Sequence, residues 1–279
     1  MMKKRAVAAV ALTALMISPV FSAGYVGAKY KYQSTEVEEY AFGMTNTYSL
    51  DQSDWQVDGS YGFVQDGFGG QIEGNFGRDG DSDVWGLTGH AYWPGNGWRL
   101  GGLISILNVD YPTDIFGAHR ETQEIVYGLE GSFDFTPDFV GRAHATLGEM
   151  ETSTSGGPFN APGPDTNDTW YAEAGASYYL SPRARLDAGI GFGSSSTEES
   201  VESFNFSVGA EYQPLELPIS ITARYNRSSS DYPAIAIKTD TDTFSVGLRL
   251  SFGAETIWDR DRTTPFDGHY GSLQHTNDF

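Results

Sequence analysis

Phe244, Val246, Leu248, Leu250 and Phe252 stand two residues apart, and Thr243, Ser245, Gly247, Arg249 and Ser251 fill the other register. Alternate side chains of a strand point to opposite faces, so Thr243–Phe252 is a strand with one apolar and one polar face. The same period recurs in eleven earlier stretches: Tyr25–Gln33, Trp55–Phe63, Phe68–Phe76, Trp85–Trp93, Trp98–Asn108, Ile125–Phe135, Phe139–Leu147, Trp170–Leu180, Ala184–Phe192, Phe204–Tyr212 and Ile219–Tyr225. Twelve two-faced strands need somewhere to put their apolar faces, and that need limits the fold to very few architectures.

A soluble sandwich or propeller would turn those faces inward, whereas a membrane barrel turns them outward. Three features favour the barrel. No run of about 18 apolar residues follows the first 22, which excludes a spanning helix but not spanning strands, where only half the residues need be apolar. From the second strand on, connections alternate short and long, and an even strand number then brings both ends of the chain to the short-turn side. Aromatics also recur eight residues apart on the apolar face. The pairs are Trp55 with Phe63, Trp85 with Trp93, Trp170 with Tyr178, Phe204 with Tyr212 and Phe244 with Phe252, and Trp98 starts the fifth strand. Eight residues tilted by about 40° rise roughly 20 Å, close to the apolar band between two aromatic girdles. A sandwich has no reason to place aromatics at two fixed heights. The predicted fold is therefore all-β: an antiparallel up-and-down transmembrane barrel of 12 strands spanning residues 23–253.

Residues 1–22 read as a secretory signal peptide. Lys3, Lys4 and Arg5 precede an apolar run over Ala6–Met16 that is too short to span a bilayer, and Val20-Phe21-Ser22 leads to a small residue. The chain has no cysteine, so its stability does not come from disulfides. Its formal charge is −20, or −23 once the three basic residues of the signal are removed, which excludes nucleic acid as a partner.

With these features the chain resembles the outer-membrane β-barrel proteins of Gram-negative bacteria. Thr243–Phe252 looks like their C-terminal recognition strand, with apolar residues at alternate positions up to a final aromatic. The resemblance implies a place in the outer membrane, surrounded by lipid and lipopolysaccharide, and insertion by the barrel assembly machinery. It covers the pattern of the barrel and carries over no functional residues. In one respect this chain departs from the pattern: 27 residues follow Phe252.

The polar register is expected to line the lumen with Lys29, Asp58, Glu73, His90, Arg99, Glu130, Arg142, Glu173, Arg185, Glu211, Arg224 and Arg249. Charges inside a barrel must be paired or wet. Two readings follow: a narrow wet pore with a lateral electrostatic filter, which we favour, or walls cross-linked into a closed lumen. Arg249 is expected beside Arg224 or Lys29. Gly101, Gly128, Gly175, Gly189, Gly209 and Gly247 leave space in the lumen or receive Tyr92, Tyr171 and Tyr179 from neighbouring strands.

The loop acids, such as Glu36, Glu38, Asp231 and Asp240, are solvated surface, or else an acidic mouth favouring cations. Asp79-Gly80-Asp81-Ser82-Asp83 alternates carboxylates as a calcium loop does, but His90 stands at the twelfth position and the glycine is misplaced, so no metal is assigned. No nucleophile–base pair emerges, so neither an enzyme nor a cofactor is expected. A lipid-modifying enzyme using His90 or His144 ranks below both lumen readings, and no oligomeric state is assigned. Residues 254–279 are expected to be a disordered or loosely docked periplasmic tail.

Phe252→Asp is expected to block insertion, scored as the fraction of heat-modifiable barrel in outer-membrane fractions, whereas deletion of residues 254–279 is not. The opposite pair of results would move the assembly signal into the tail.

Overall fold

A computed structural model describes residues 21–41, 44–113, 117–156, 165–196, 200–214, 216–233 and 236–266. All but the last two residues of the signal-peptide assignment lie outside these ranges. The strands are β1 (Phe21–Ala41), β2 (Met44–Gln65), β3 (Phe68–Asp79), β4 (Ser82–Pro94), β5 (Trp98–Asp110) and β6 (Ala118–Thr136). They continue as β7 (Phe139–Gly156), β8 (Asp165–Ser181), β9 (Ala184–Ser196), β10 (Ser200–Tyr212), β11 (Ile219–Tyr232) and β12 (Ile237–Phe252). Each pairs antiparallel with its chain neighbour, and β1 closes against β12 from Gly24↔Phe252 to Glu39↔Ile237. The result is a closed 12-strand up-and-down barrel.

The faces follow the alternation. Leu129 is 71% exposed and Leu248 57%, while Glu130, Gln71 and Ser220 on the inner register are 1–2% exposed. The outer surface is thus a continuous apolar wall, far larger than the few hundred Å² that a soluble monomer exposes. The aromatics form two rings on it. Trp55 meets Phe76, with ring centroids 5.6 Å apart, and Phe192 meets Phe204 at 5.3 Å on the long-loop side. On the short-turn side Phe63, Phe68 and Trp93 are linked at 6.5 and 6.4 Å, and Tyr61 stacks on Phe252 at 6.3 Å.

The strands run well past the band that composition marks. The acidic stretch between the first two strands was expected to be a loop, but it is a paired hairpin reaching Ala41↔Met44. There Gln33, Thr35 and Val37 turn inward and are buried while Glu36 and Glu38 face out, so alternation persists with polar residues on the outer face. Outside lipid the backbone still needs hydrogen-bond partners, and the ladder supplies them. The same extension lengthens other strands beyond their predicted ranges: β7 runs to Gly156, β9 to Ser196 and β11 to Tyr232. The 78–83 loop is reduced to the two-residue turn Gly80-Asp81, between paired Asp79 and Ser82. Part of the inner face also departs from the polar rule. Leu103 packs on Val126, and Leu107 and Val109 pack with Val84, Tyr111 and Met150.

The β1–β12 seam depends on one small residue. A Cβ on Gly24 would collide with the Ser60 carbonyl and lie 2.7–2.8 Å from Phe252 ring atoms. Gly24→Val is expected to destabilise the folded barrel by about 1–3 kcal/mol, the usual effect of overpacking, read as a lower urea midpoint in detergent.

Candidate functional site

All twelve sequence-predicted lumen residues lie on the inner face, and the walls pair most of their charges. His90 Nδ1 lies 2.9 Å from Glu130, Arg99 lies 3.2 Å from Asp134, and Arg185 lies 3.0 Å from Asp187. Arg249 points inward as expected, but its partners are Asp58 and Glu211, each at 3.3 Å, and the Tyr25 ring beneath its guanidinium at 4.1 Å. Arg249 shares a chamber with Lys29 and Arg224, as expected, and its ion-pair partners there are Asp58 and Glu211.

The eleven predicted girdle aromatics lie on the outer face. Tyr178 on β8 is 49% exposed there, at the short-turn end, where it pairs with Phe139 of β7 and Leu186 of β9. Its chain neighbour Tyr179 takes the opposite face and is buried in the lumen. Only one of these two adjacent tyrosines is thus a girdle residue, and the strand period decides which.

The short-turn end holds what the sequence reading missed. The first half of the tail is neither disordered nor loosely docked. Gly253 has a φ of +70°, a left-handed conformation that favours glycine, and there the chain leaves β12. Helix α1 (Ile257–Thr263) follows. Thr256 caps it, accepting from the Asp259 N–H at 3.1 Å and donating to the Asp259 carboxylate at 2.6 Å. Thr256-Ile257-Trp258-Asp259 is a readable capping signature, and it was the one sequence signal for this helix.

α1 is buried among lumen charges. Arg260, 1% exposed, forks onto Glu211 with contacts of 2.7 and 2.9 Å. Asp261 receives the Tyr179 hydroxyl at 2.9 Å and forms an ion pair with Arg185. Burial alone would lower the Arg260 pKa, but Asp261 and Glu211 outweigh it and hold the guanidinium above its ordinary value. The short turns join in: the Pro182 carbonyl accepts the Trp258 N–H at 3.0 Å, and the Pro137 carbonyl accepts both the Trp258 indole and Arg262, each at 3.0 Å.

The chain then climbs the inner wall. The Tyr92 hydroxyl donates to the Thr263 carbonyl at 3.0 Å. A Cβ on Gly62 would collide with that same carbonyl, so only glycine admits so close an approach. Phe266 is buried between His90, stacked at 5.6 Å, and Tyr92, edge-on at 5.3 Å, and the Gln71 amide exchanges two hydrogen bonds with its backbone. Chambers remain beside this plug. One of ≈ 530 Å³ is lined by Arg142, Glu173, Arg224 and Phe266, and one of ≈ 870 Å³ by Lys29, Asp58, Glu73 and Arg249; Asp187 and Arg224 line both.

The model of the outer membrane protein β-barrel domain matches residues 87–252. The chain belongs to this family. No curated protein matches it. Among solved structures, the translocator domain of the autotransporter NalP from Neisseria meningitidis is 14% identical, with a TM-score of 0.56, over 90% of this chain and 95% of that one. The β domain of the Bordetella autotransporter BrkA is 17% identical, TM-score 0.46, over 81% of this chain and 100% of that one. The Pseudomonas putida toluene transporter TodX is 10% identical, TM-score 0.43, over 86% and 91%. At these identities the likeness is one of fold and assigns no cargo.

This barrel is thus a protein of the Gram-negative outer membrane. α1 sits at the short-turn end of the lumen. The lumen glycines follow the sequence reading only in part: the Tyr92 and Tyr171 rings cover Gly69 and Gly191 instead of the six expected positions. Gly175, Gly189 and Gly209 border open chamber, whereas Gly101 and Gly128 are covered by Tyr92 and Thr146.

Arg260→Ala leaves Glu211 with Arg185 and Arg249, but strips the plug of its fork. Breaking a buried ion pair costs about 3–5 kcal/mol. Limited proteolysis is therefore expected to cleave the variant's tail while the heat-modifiable barrel stays intact; Gly62→Val, which alters no charge, is expected to do the same.

Proposed function

We propose that the protein is a porin-like channel for small polar solutes or ions, narrowed at its periplasmic end by its own C-terminal segment. The observation that carries this reading is the open space left between charged walls beside Arg142, Arg224 and Lys29. Side chains that cross-linked the whole lumen would leave no such space. The mixed charges around it suit hydrated polar solutes rather than oily ones. Lipid and lipopolysaccharide around the outer face, and assembly machinery recognising Thr243–Phe252, are the partners proposed with it.

The plug itself favours a second reading, a non-conducting barrel that presents acidic hairpins at the surface. Some of those acids are already paired: Asp240 with Lys238 at 3.5 Å and with Arg227 at 3.7 Å. Such exposed pairs contribute about 0–1 kcal/mol and leave most of the acidic surface solvated.

Conductance in planar bilayers separates the two. The chain ending at Gly253 is expected to give steady unitary currents several-fold larger than those of the full chain. Absence of steady current from both forms, with heat-modifiable folding verified, would leave the closed barrel as the reading.

A further inference from the structure

Among the described residues, six lysines and arginines on the inner face have carboxylate partners: Lys31 with Asp79, Arg99 with Asp134, Arg185 with Asp187, Arg249 with Asp58, Arg260 with Glu211 and Arg262 with Asp134. Three do not. Among the described residues, no carboxylate lies within ion-pairing distance of Lys29, Arg142 or Arg224. Arg142 Nε is moreover buried with no hydrogen-bond partner among them. All three face open space, as the paired Arg185 and Arg249 also do. Arg142 on β7 and Arg224 on β11 line the same ≈ 530 Å³ chamber, and Arg224 reaches the ≈ 870 Å³ chamber that Lys29 lines.

The acids bordering this space are otherwise engaged. Glu130 holds His90 at 2.9 Å, Glu173 accepts the Tyr171 hydroxyl at 2.9 Å, and Asp187 takes Arg185 at 3.0 Å and the Ser177 hydroxyl at 2.6 Å. The floor of the chamber is bare. Gly175 and Gly189 pair directly, and Gly189 pairs in turn with Ser207, whose hydroxyl would lie 3.1 Å from a Cβ at Gly189. Partly buried guanidinium groups with neither carboxylate nor carbonyl to hold them call for an anion or ordered water. A guanidinium fork matches the two oxygens of a carboxylate or phosphate.

We propose that Arg142 and Arg224 form a lumenal oxyanion site, with Lys29 beside it, for a small solute bearing a carboxylate or phosphate group. The chamber is small and polar-lined, so it suits a compact oxyanion. The site deepens the channel reading by naming the solute class, but binding does not require conduction, so a binding measurement tests it separately. One other source of the same chemistry exists in the chain: Asp267 follows Phe266, which lines the chamber.

The test is titration calorimetry of the full chain, folded in detergent, with succinate and with inorganic phosphate against chloride at matched ionic strength. Saturable binding of at least one oxyanion is expected. R142Q and R224Q are each expected to weaken it about 10-fold or more, the effect of losing a charge-assisted hydrogen bond, while R142K and R224K keep more of the affinity. Heat-modifiable mobility establishes that each variant is folded; should R142Q fail to fold, R224Q and the lysine variants carry the comparison. No saturable binding of either probe overturns the site, and so does binding unchanged in both folded R224Q and R224K. Binding that emerges only when the chain is ended at Phe266 would also overturn it, since the chain's own following residues would then be the occupant.

Discussion

A strand in lipid finds no water for the unpaired N–H and C=O groups of its edge, and each unsatisfied group costs several kcal/mol. Everything in this barrel depends on β1 meeting β12. That seam runs from Gly24↔Phe252 to Glu39↔Ile237 and removes the last two edges of the sheet. Once it closes, the apolar registers of the alternating strands face outward and the charged ones converge on one lumen. Both ends of the barrel segment then lie on the short-turn side, where the C-terminal chain has direct access to the lumen.

Convergence creates the opposite problem inside. Charged rows brought together from twelve strands must be paired or wetted. Around Glu211 the pairing is dense: Arg260, Arg249 and Arg185 all reach it, and Asp261 bridges Arg185 and Arg260. Two of these five residues come from the tail, so α1 completes the electrostatics of the wall and does more than fill space. Farther from the helix the pairing thins, and Lys29, Arg142 and Arg224 are left facing the chambers. One end of the lumen is consequently cross-linked while its middle stays open.

The band of lipid contact was legible in the sequence because membrane solvent imposes a strict period of two and aromatic boundaries at a fixed spacing. Neither the strand ends nor the inner apolar cluster could be read that way. Above the lipid band hydrophobicity no longer marks the faces, so Thr35 and Val37 of an acidic stretch gave little sign that they were pairing positions. In β5, Leu103, Leu107 and Val109 share a register with Arg99, and apolar residues on both faces hide which side is inner. The tail was missed for a different reason. Trp258-Asp259-Arg260-Asp261-Arg262 has the composition of solvated chain, and only its Thr256 capping signature pointed to order.

By itself the sequence determined the strand number, the facing of most side chains along the alternating strands and the outer-membrane class, because these follow from local periodicity and the solvent it meets. Only the tertiary structure decided which charges are paired, which stay open, and that residues 254–266 enter the lumen. Those outcomes rest on partners such as Glu211 with Arg260 and Arg185 with Asp261, far apart along the chain and adjacent only once the barrel has closed.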